Sequence, residues 1–163
     1  MEDTSRRATA TTDRVHEAWV AHHEKLWRSV LAWSGDREVA SDAVAEAFAQ
    51  ATRRGAAIDD VGRWVWRAAF RIAGGLLADR RRHDGGAGPD LVDAASLPAD
   101  AVELVDALAR LSDDDRTVVV LSLVGGWSSA EVGRLVGASS GTVRVRLHRA
   151  KARLRTLLED HDG

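Results

Sequence analysis

Apolar positions recur three and four residues apart along most of this chain. The runs that keep this rhythm predict helices over residues 15–34, 36–54 and 60–82. Ala, Leu, Arg and Glu dominate them, so propensity agrees with pattern. In the second run Ala40, Val44, Ala47, Phe48 and Ala51 fall on one face, and Asp42, Glu46, Ala49, Gln50 and Arg53 on the opposite one. In the third, Val65, Ala69, Ile72 and Leu76 form a face to be buried, while Trp64, Arg67, Arg71 and Arg82 share another. Further on, "TVVVLSLV" has the β-branched content of a strand. Ser112 followed by Asp115 is nevertheless a helix-start signal and the flanking segments are helical, so helix is predicted there too. Ser128 with Glu131 then caps a short helix to Val136, Gly137 supplies a left-handed stop, and Ser139 caps the next helix. Helix, three-residue turn and helix in this order make a helix-turn-helix. Across residues 139–158, Val143, Leu147, Ala150, Leu154, Leu157 and Leu158 line one apolar stripe of roughly 100°.

One segment breaks the rhythm. "HDGGAGPDLVDAASLP", residues 83–98, has too little apolar surface to hold one shape and reads as a linker. The predicted fold is all-α: two small helical domains, residues 15–82 and 99–160, joined by a flexible linker, the C-terminal one a helix-turn-helix. Residues 1–14 are polar and of mixed charge, and read as a disordered tail, neither signal peptide nor membrane anchor.

Charge changes the picture by its placement. The 163 residues sum to a formal charge of -2, yet "SSGTVRVRLHRAKARLR", residues 139–155, holds Arg144, Arg146, Arg149, Lys151, Arg153 and Arg155 without one carboxylate. A solvated helix interleaves acids four residues from its bases; this one borders its apolar stripe with cations on both sides, as a helix does when it lies on a core and shows charge to a nucleic acid. The first turn of such a second helix enters the major groove. Ser139, Ser140, Thr142 and Arg144 are then placed for phosphate, and Arg144, Val145 and His148 for base edges, with Val145 matched to a thymine methyl and Arg149 also on the DNA-facing side. Asp42 and Glu46, four residues apart, repel each other at a cost of about 0.2–0.5 kcal/mol unless a basic partner faces them. Trp64 beside Arg67 and Arg71 offers a plane for a base and cations for its phosphates, the requirements of single-stranded DNA. The other tryptophans read as core filling.

Several classes drop out. Without cysteine there is no disulfide scaffold, thiolate metal site or thiol redox switch. "HEAWVAHHE" lacks the second histidine of a zinc-protease pattern, since Val20 stands four residues after His16; no metal and no cofactor is predicted. Phosphate-binding glycine loops and nucleophile elbows are missing as well, so no catalytic activity and no small-molecule substrate is expected. The longest apolar run, at 118–124, is far below the roughly 18 residues of a membrane span, so a soluble, cytoplasmic protein that does not engage membranes is expected.

The second block, "LSDDDRTVVVLSLVGGWSSAEVGRLVGASSGTVRVRLHRAKARLRTLL", strongly resembles domain 4 of bacterial sigma-70 family factors of the small extracytoplasmic-function (ECF) type. The likeness is carried by Leu111 to Asp115, the Gly126-Trp127-Ser128 corner, "AEVGRLVG" and "GTVRVRLHRAKARLR", with Val145 where the family usually has serine. Residues 37–54 are similar to the family helix that docks on the clamp-helix coiled coil of the largest polymerase subunit, and 63–83 to the helix that meets melted promoter DNA. The resemblance implies a sigma factor that initiates transcription: Asp42, Glu46, Phe48 and Gln50 toward core RNA polymerase, Trp64, Arg67 and Arg71 toward the melted strand, and Ser139 to Arg149 toward the upstream promoter element. It also implies an anti-sigma factor as a partner class. A stand-alone helix-turn-helix regulator would share the last module, but would bind duplex DNA without polymerase. Two departures stand out: Arg71 replaces an asparagine, and Gly74-Gly75 predicts a bend or a close packing contact in the third helix.

Overall fold

The computed structural model describes residues 1–84, 98–161 and 163. Seven α-helices carry the described residues: α1 (Glu2–Ser34), α2 (Arg37–Arg54), α3 (Val61–His83), α4 (Ala99–Ala109), α5 (Asp113–Val119), α6 (Ser129–Val136) and α7 (Ser140–Glu159). The predicted linker falls largely on residues 85–97, outside the described residues; His83 still belongs to α3, and Pro98 precedes α4.

The first helix corrects the predicted tail. It starts at Glu2, because the polar opening satisfies itself locally. Thr9 and Thr12 donate to the carbonyls of Ser5 and Ala8 at 3.0 Å, Arg7 pairs with Asp3 at 3.1 Å, and Glu2 and Asp3 sit at the positive end of the helix dipole. Lack of apolar residues there means lack of burial, and residues 1–10 are indeed exposed. Packing begins near Arg14, whose guanidinium donates to the carbonyls of Ile58 and Asp59.

Helices α1, α2 and α3 form the first lobe around Leu26, Val30, Val44, Ala47, Phe48, Val65, Trp66 and Ala69. One corner ties all three. Gly35 ends α1 in the left-handed region (φ 68°), and the next residue, buried Asp36, caps α2 by accepting from the Val39 N–H at 3.0 Å. Arg80, near the end of α3, pairs with that same carboxylate and with Glu38. The helix α3 runs on through Gly74 and Gly75, and neither is closely packed. A Cβ on Gly74 would sit at ordinary contact distance from Trp33, 3.8 Å, and one on Gly75 would meet nothing within 4 Å.

The second lobe winds α4 to α7 around Leu108, Leu111, Val119, Val120, Ala150 and Leu154. Helix is confirmed for "TVVVLSLV", in two pitches: α5 passes into a π-helical stretch, Val120–Val124, closed by the Gly125 N–H on the Val120 carbonyl at 2.9 Å. The helix-turn-helix signals hold in detail. Ser128 and Glu131 complete a reciprocal capping box, Gly137 is left-handed at φ 75°, and Ser139 caps α7.

The two lobes are packed on one another rather than held apart. Val118, Leu121, Val132 and Val143 of the second lobe belong to the same buried cluster as the α1–α3 core. Aromatic side chains make the seam. Trp66 meets Trp127 edge-on at 5.2 Å, Trp33 donates to the Thr117 hydroxyl at 3.0 Å, and the buried Arg116 guanidinium lies over the Trp33 ring at 4.8 Å while pairing with Asp113. Burial of these aromatic faces removes apolar surface from water, which favours closure over separation.

Candidate polymerase and nucleic-acid interface

Three surfaces carry the residues singled out in the sequence. On α2, Asp42 is exposed and, among the described residues, has no ion-pair partner, while Glu46 accepts from Gln50 at 3.0 Å and from Arg53 at 2.7 Å. The Gln50 amide and then the Arg53 guanidinium hold the Glu46 carboxyl below the usual carboxylate range. The repulsion expected between Asp42 and Glu46 is therefore relieved inside the helix. Phe48 is a correction: it is 6% exposed, with its ring edge-on to Trp19 at 4.9 Å, so it braces α2 on α1 and does not face a partner. It has the apolar spacing of Val44 and Ala51, and periodicity places it inside.

On α3, Trp64 is half-buried and carries the Arg54 guanidinium at 5.5 Å from its ring centre, a cation–π contact from the end of α2. Arg67 and Arg71 are exposed on the same face. Between them and the second lobe runs a groove of about 360 Å³, whose far wall is Thr117, Leu121, Leu135 and Val136. Arg67 reaches across it to the Arg134 carbonyl at 3.4 Å. The three predicted residues are thus together, on a face the second lobe partly covers.

On α7, the apolar stripe is confirmed: Val143, Ala150 and Leu154 are buried, with Leu147, Leu157 and Leu158 partly so. Arg144, Val145, His148 and Arg149 project outward, and Val145 is 53% exposed, a β-branched apolar side chain facing water. Ser139 accepts from the Thr142 N–H at 3.1 Å and its hydroxyl pairs with that of Thr142 at 2.8 Å, so both groups first fix the helix start. Ser140 is half-buried within the first turn. Of the six cations in residues 139–155, Arg146 alone has an ion pair among the described residues, bridging Asp114 and Asp115 at 3.9 Å each. That leaves a row of unneutralised charge around the amino-terminal half of α7, at the positive end of its dipole.

A helix capped by Ser139, stopped behind by Gly137, braced by α6 and bearing that row is the part of the chain that decides its family. Residues 101–154, from α4 into α7, match the family described as Sigma-70, region 4. The chain is 30% identical to the ECF RNA polymerase sigma factor SigL of Mycobacterium tuberculosis, over 98% of this chain and 97% of that protein. The chain belongs to the ECF sigma factors. Its fold is likewise that of two solved structures at 21% identity. One is CnrH, in complex with the cytosolic domain of CnrY, with a TM-score of 0.74 over 98% of this chain and 96% of that one. The other is RpoE of Bartonella quintana, in complex with the anti-sigma factor NepR, with a TM-score of 0.72 over 88% and 96%. As a sigma factor it directs RNA polymerase to promoters and initiates transcription.

His23 and Glu24 of "HEAWVAHHE" are engaged within α1. His23 donates through Nδ1 to the Trp19 carbonyl at 2.6 Å and stacks on the Trp19 ring, and Glu24 pairs with Arg28. Sequence reasoning missed three positions that hold the structure together: His22 and Arg116, both in the seam, and Gly133. A Cβ on Gly133 would stand 2.4 Å from the Ala138 carbonyl oxygen, because the chain folds back tightly there between α6 and α7. Contacts between helices, and a close backbone approach across a turn, leave no signal in the helical periodicity. Among the described residues no helix is long and apolar enough to cross a membrane.

Proposed function

We propose that this sigma factor divides its work among the three surfaces. The outer face of α2, through Asp42, Glu46 and Gln50, docks on core polymerase. Trp64, Arg67 and Arg71 of α3 take the unpaired promoter strand by stacking and phosphate pairing, a contact worth roughly 1–3 kcal/mol per stacked base. The first turns of α7, Ser139 to Arg149, read the upstream element as duplex, with backbone and hydroxyl contacts to phosphate and with Arg144, Val145 and His148 at base edges. The observation that carries this reading is the exposed, unneutralised row Arg144–Val145–His148–Arg149 on a helix whose opposite side is core. Residues 15–82 act as the polymerase-facing and melting unit and 99–160 as the duplex-reading unit, joined through residues 83–98. The chain acts by binding alone, without catalysis of its own, in the cytoplasm. An anti-sigma factor is a further partner class, supported by the similarly folded RpoE, which was solved in complex with the anti-sigma factor NepR.

In vitro transcription with purified core enzyme on a pool of genomic fragments tests it. Initiation at a small set of starts sharing an upstream element is the expected result; no start above that of core enzyme alone would sink the assignment.

A further inference from the structure

Three aromatic rings from three elements meet where the lobes join. His22 of α1 lies nearly parallel to Trp127 (15°, centroids 6.4 Å apart) and nearly perpendicular to Trp66 of α3 (87°, 6.5 Å). Trp66 is 1% exposed, and its indole N–H donates to His22 Nδ1 at 3.3 Å, its one hydrogen-bond acceptor among the described residues. On the other side of the ring, His22 Nε2 presses on Gly62, where an added Cβ would stand 2.7 Å from it. We propose that His22 is a proton-sensitive latch between the lobes, its neutral ring holding them shut and its protonated ring releasing them.

The chemistry rests on the donor count. Neutral His22 offers a bare Nδ1 to Trp66; the imidazolium has a donor on both nitrogens, so a proton on Nδ1 turns the seam's acceptor into a donor facing another donor. The charged groups around it come from every side. On α1, Lys25 repels a proton, with its ammonium against Gly126 of the second lobe; ahead of α3, Asp60 attracts one; Arg14, Glu17 and Asp59 line the shallow depression outside. From the second lobe the uncharged Trp127 faces the ring, and Glu131 is engaged in its own capping box. Burial outweighs the Asp60 attraction and lowers the His22 pKa below its ordinary 6.5, with Lys25 acting in the same direction as burial. Closure therefore favours the neutral ring. Its contribution is fully present above about pH 6.5 and is lost as pH falls through the lowered value. Opening would also free Arg67 from the Arg134 carbonyl and uncover Trp64 and Arg71; that consequence rests on the DNA role proposed above, whereas the latch does not.

Because the chain has no cysteine, label sites can be placed at will, with Thr52→Cys on α2 and Ala152→Cys on α7, both exposed. Distance between the two labels, by energy transfer, is followed from pH 8 to pH 5 alongside far-UV circular dichroism. The expected result is one short distance at pH 8, and a longer population growing below pH 6.5 with helix content unchanged. His22→Gln keeps an acceptor without titrating and stays short throughout; His22→Phe keeps the ring without the acceptor and loses the pH response. A constant distance in the parent, opening of His22→Gln at the parent's midpoint, or loss of helix in step with separation would each overturn the latch. A single-stranded oligonucleotide added at constant salt separates the two proposals. Binding that rises on acidification in the parent but not in His22→Gln supports both. Opening without such binding supports the latch and removes the α3 face from the DNA assignment.

Discussion

Glycines show how differently the same residue type is constrained within one chain. Gly75 sits in open space on a helix, so Gly75→Ala is expected to stabilise the fold by about 0.5–1 kcal/mol, read as a rise in thermal midpoint of a few degrees. Gly133→Ala should do the opposite. Its methyl would meet a backbone oxygen that cannot swing away, costing about 1–3 kcal/mol and lowering the midpoint accordingly. From sequence alone the pair reads the other way round, since Gly74-Gly75 interrupts a helix and draws the eye whereas Gly133 lies quietly in "AEVGRLVG". Caps are the legible residues. Ser128, Glu131, Gly137 and Ser139 act on neighbours three or four positions away, and their roles are therefore written in the local pattern. Gly133 answers to Ala138 across a turn, Phe48 to Trp19 on another helix, and neither pairing has a periodic signature.

Helices carry the three proposed surfaces, and each can be changed without touching its buried side. Asp42→Arg on α2 is expected to abolish association with core polymerase in a pull-down while leaving the circular dichroism of the free chain intact. Retained association would take α2 out of the polymerase interface. On α7, Arg144→Ala should weaken promoter-dependent transcription by about 1–3 kcal/mol in apparent affinity if its contact is to a base edge, with discrimination relaxed at one promoter position. A loss uniform across promoters, with a shallower salt dependence, would instead assign Arg144 to phosphate. Element boundaries and faces were legible because each helix obeys its own periodicity. The opening of α1 is the exception: it has no apolar stripe, so pattern reading found no helix where hydroxyl and ion-pair contacts along the chain sustain one.

For the whole molecule, the buried cluster shared by both lobes predicts cooperative unfolding. At pH 8, melting followed by tryptophan fluorescence and by far-UV circular dichroism should coincide in one transition. Two resolved transitions would mean that the lobes stand alone and that the seam is incidental. Tryptophan content hinted at this, yet the reading that assigned most of those rings to core could not say whose core. Trp33 and Trp66 lie in the first lobe by sequence and are completed by Arg116, Thr117 and Trp127 of the second. The five-residue π-helical stretch, Val120–Val124, has a bearing on how the second lobe is aimed. Each residue of a helix rotates the next by about 100°. Shortening that stretch by one would restore ordinary pitch and swing the Gly125–Trp127 corner around the axis, carrying it off Trp66. The angular setting of one half of the molecule against the other is thus indexed by a single inserted position.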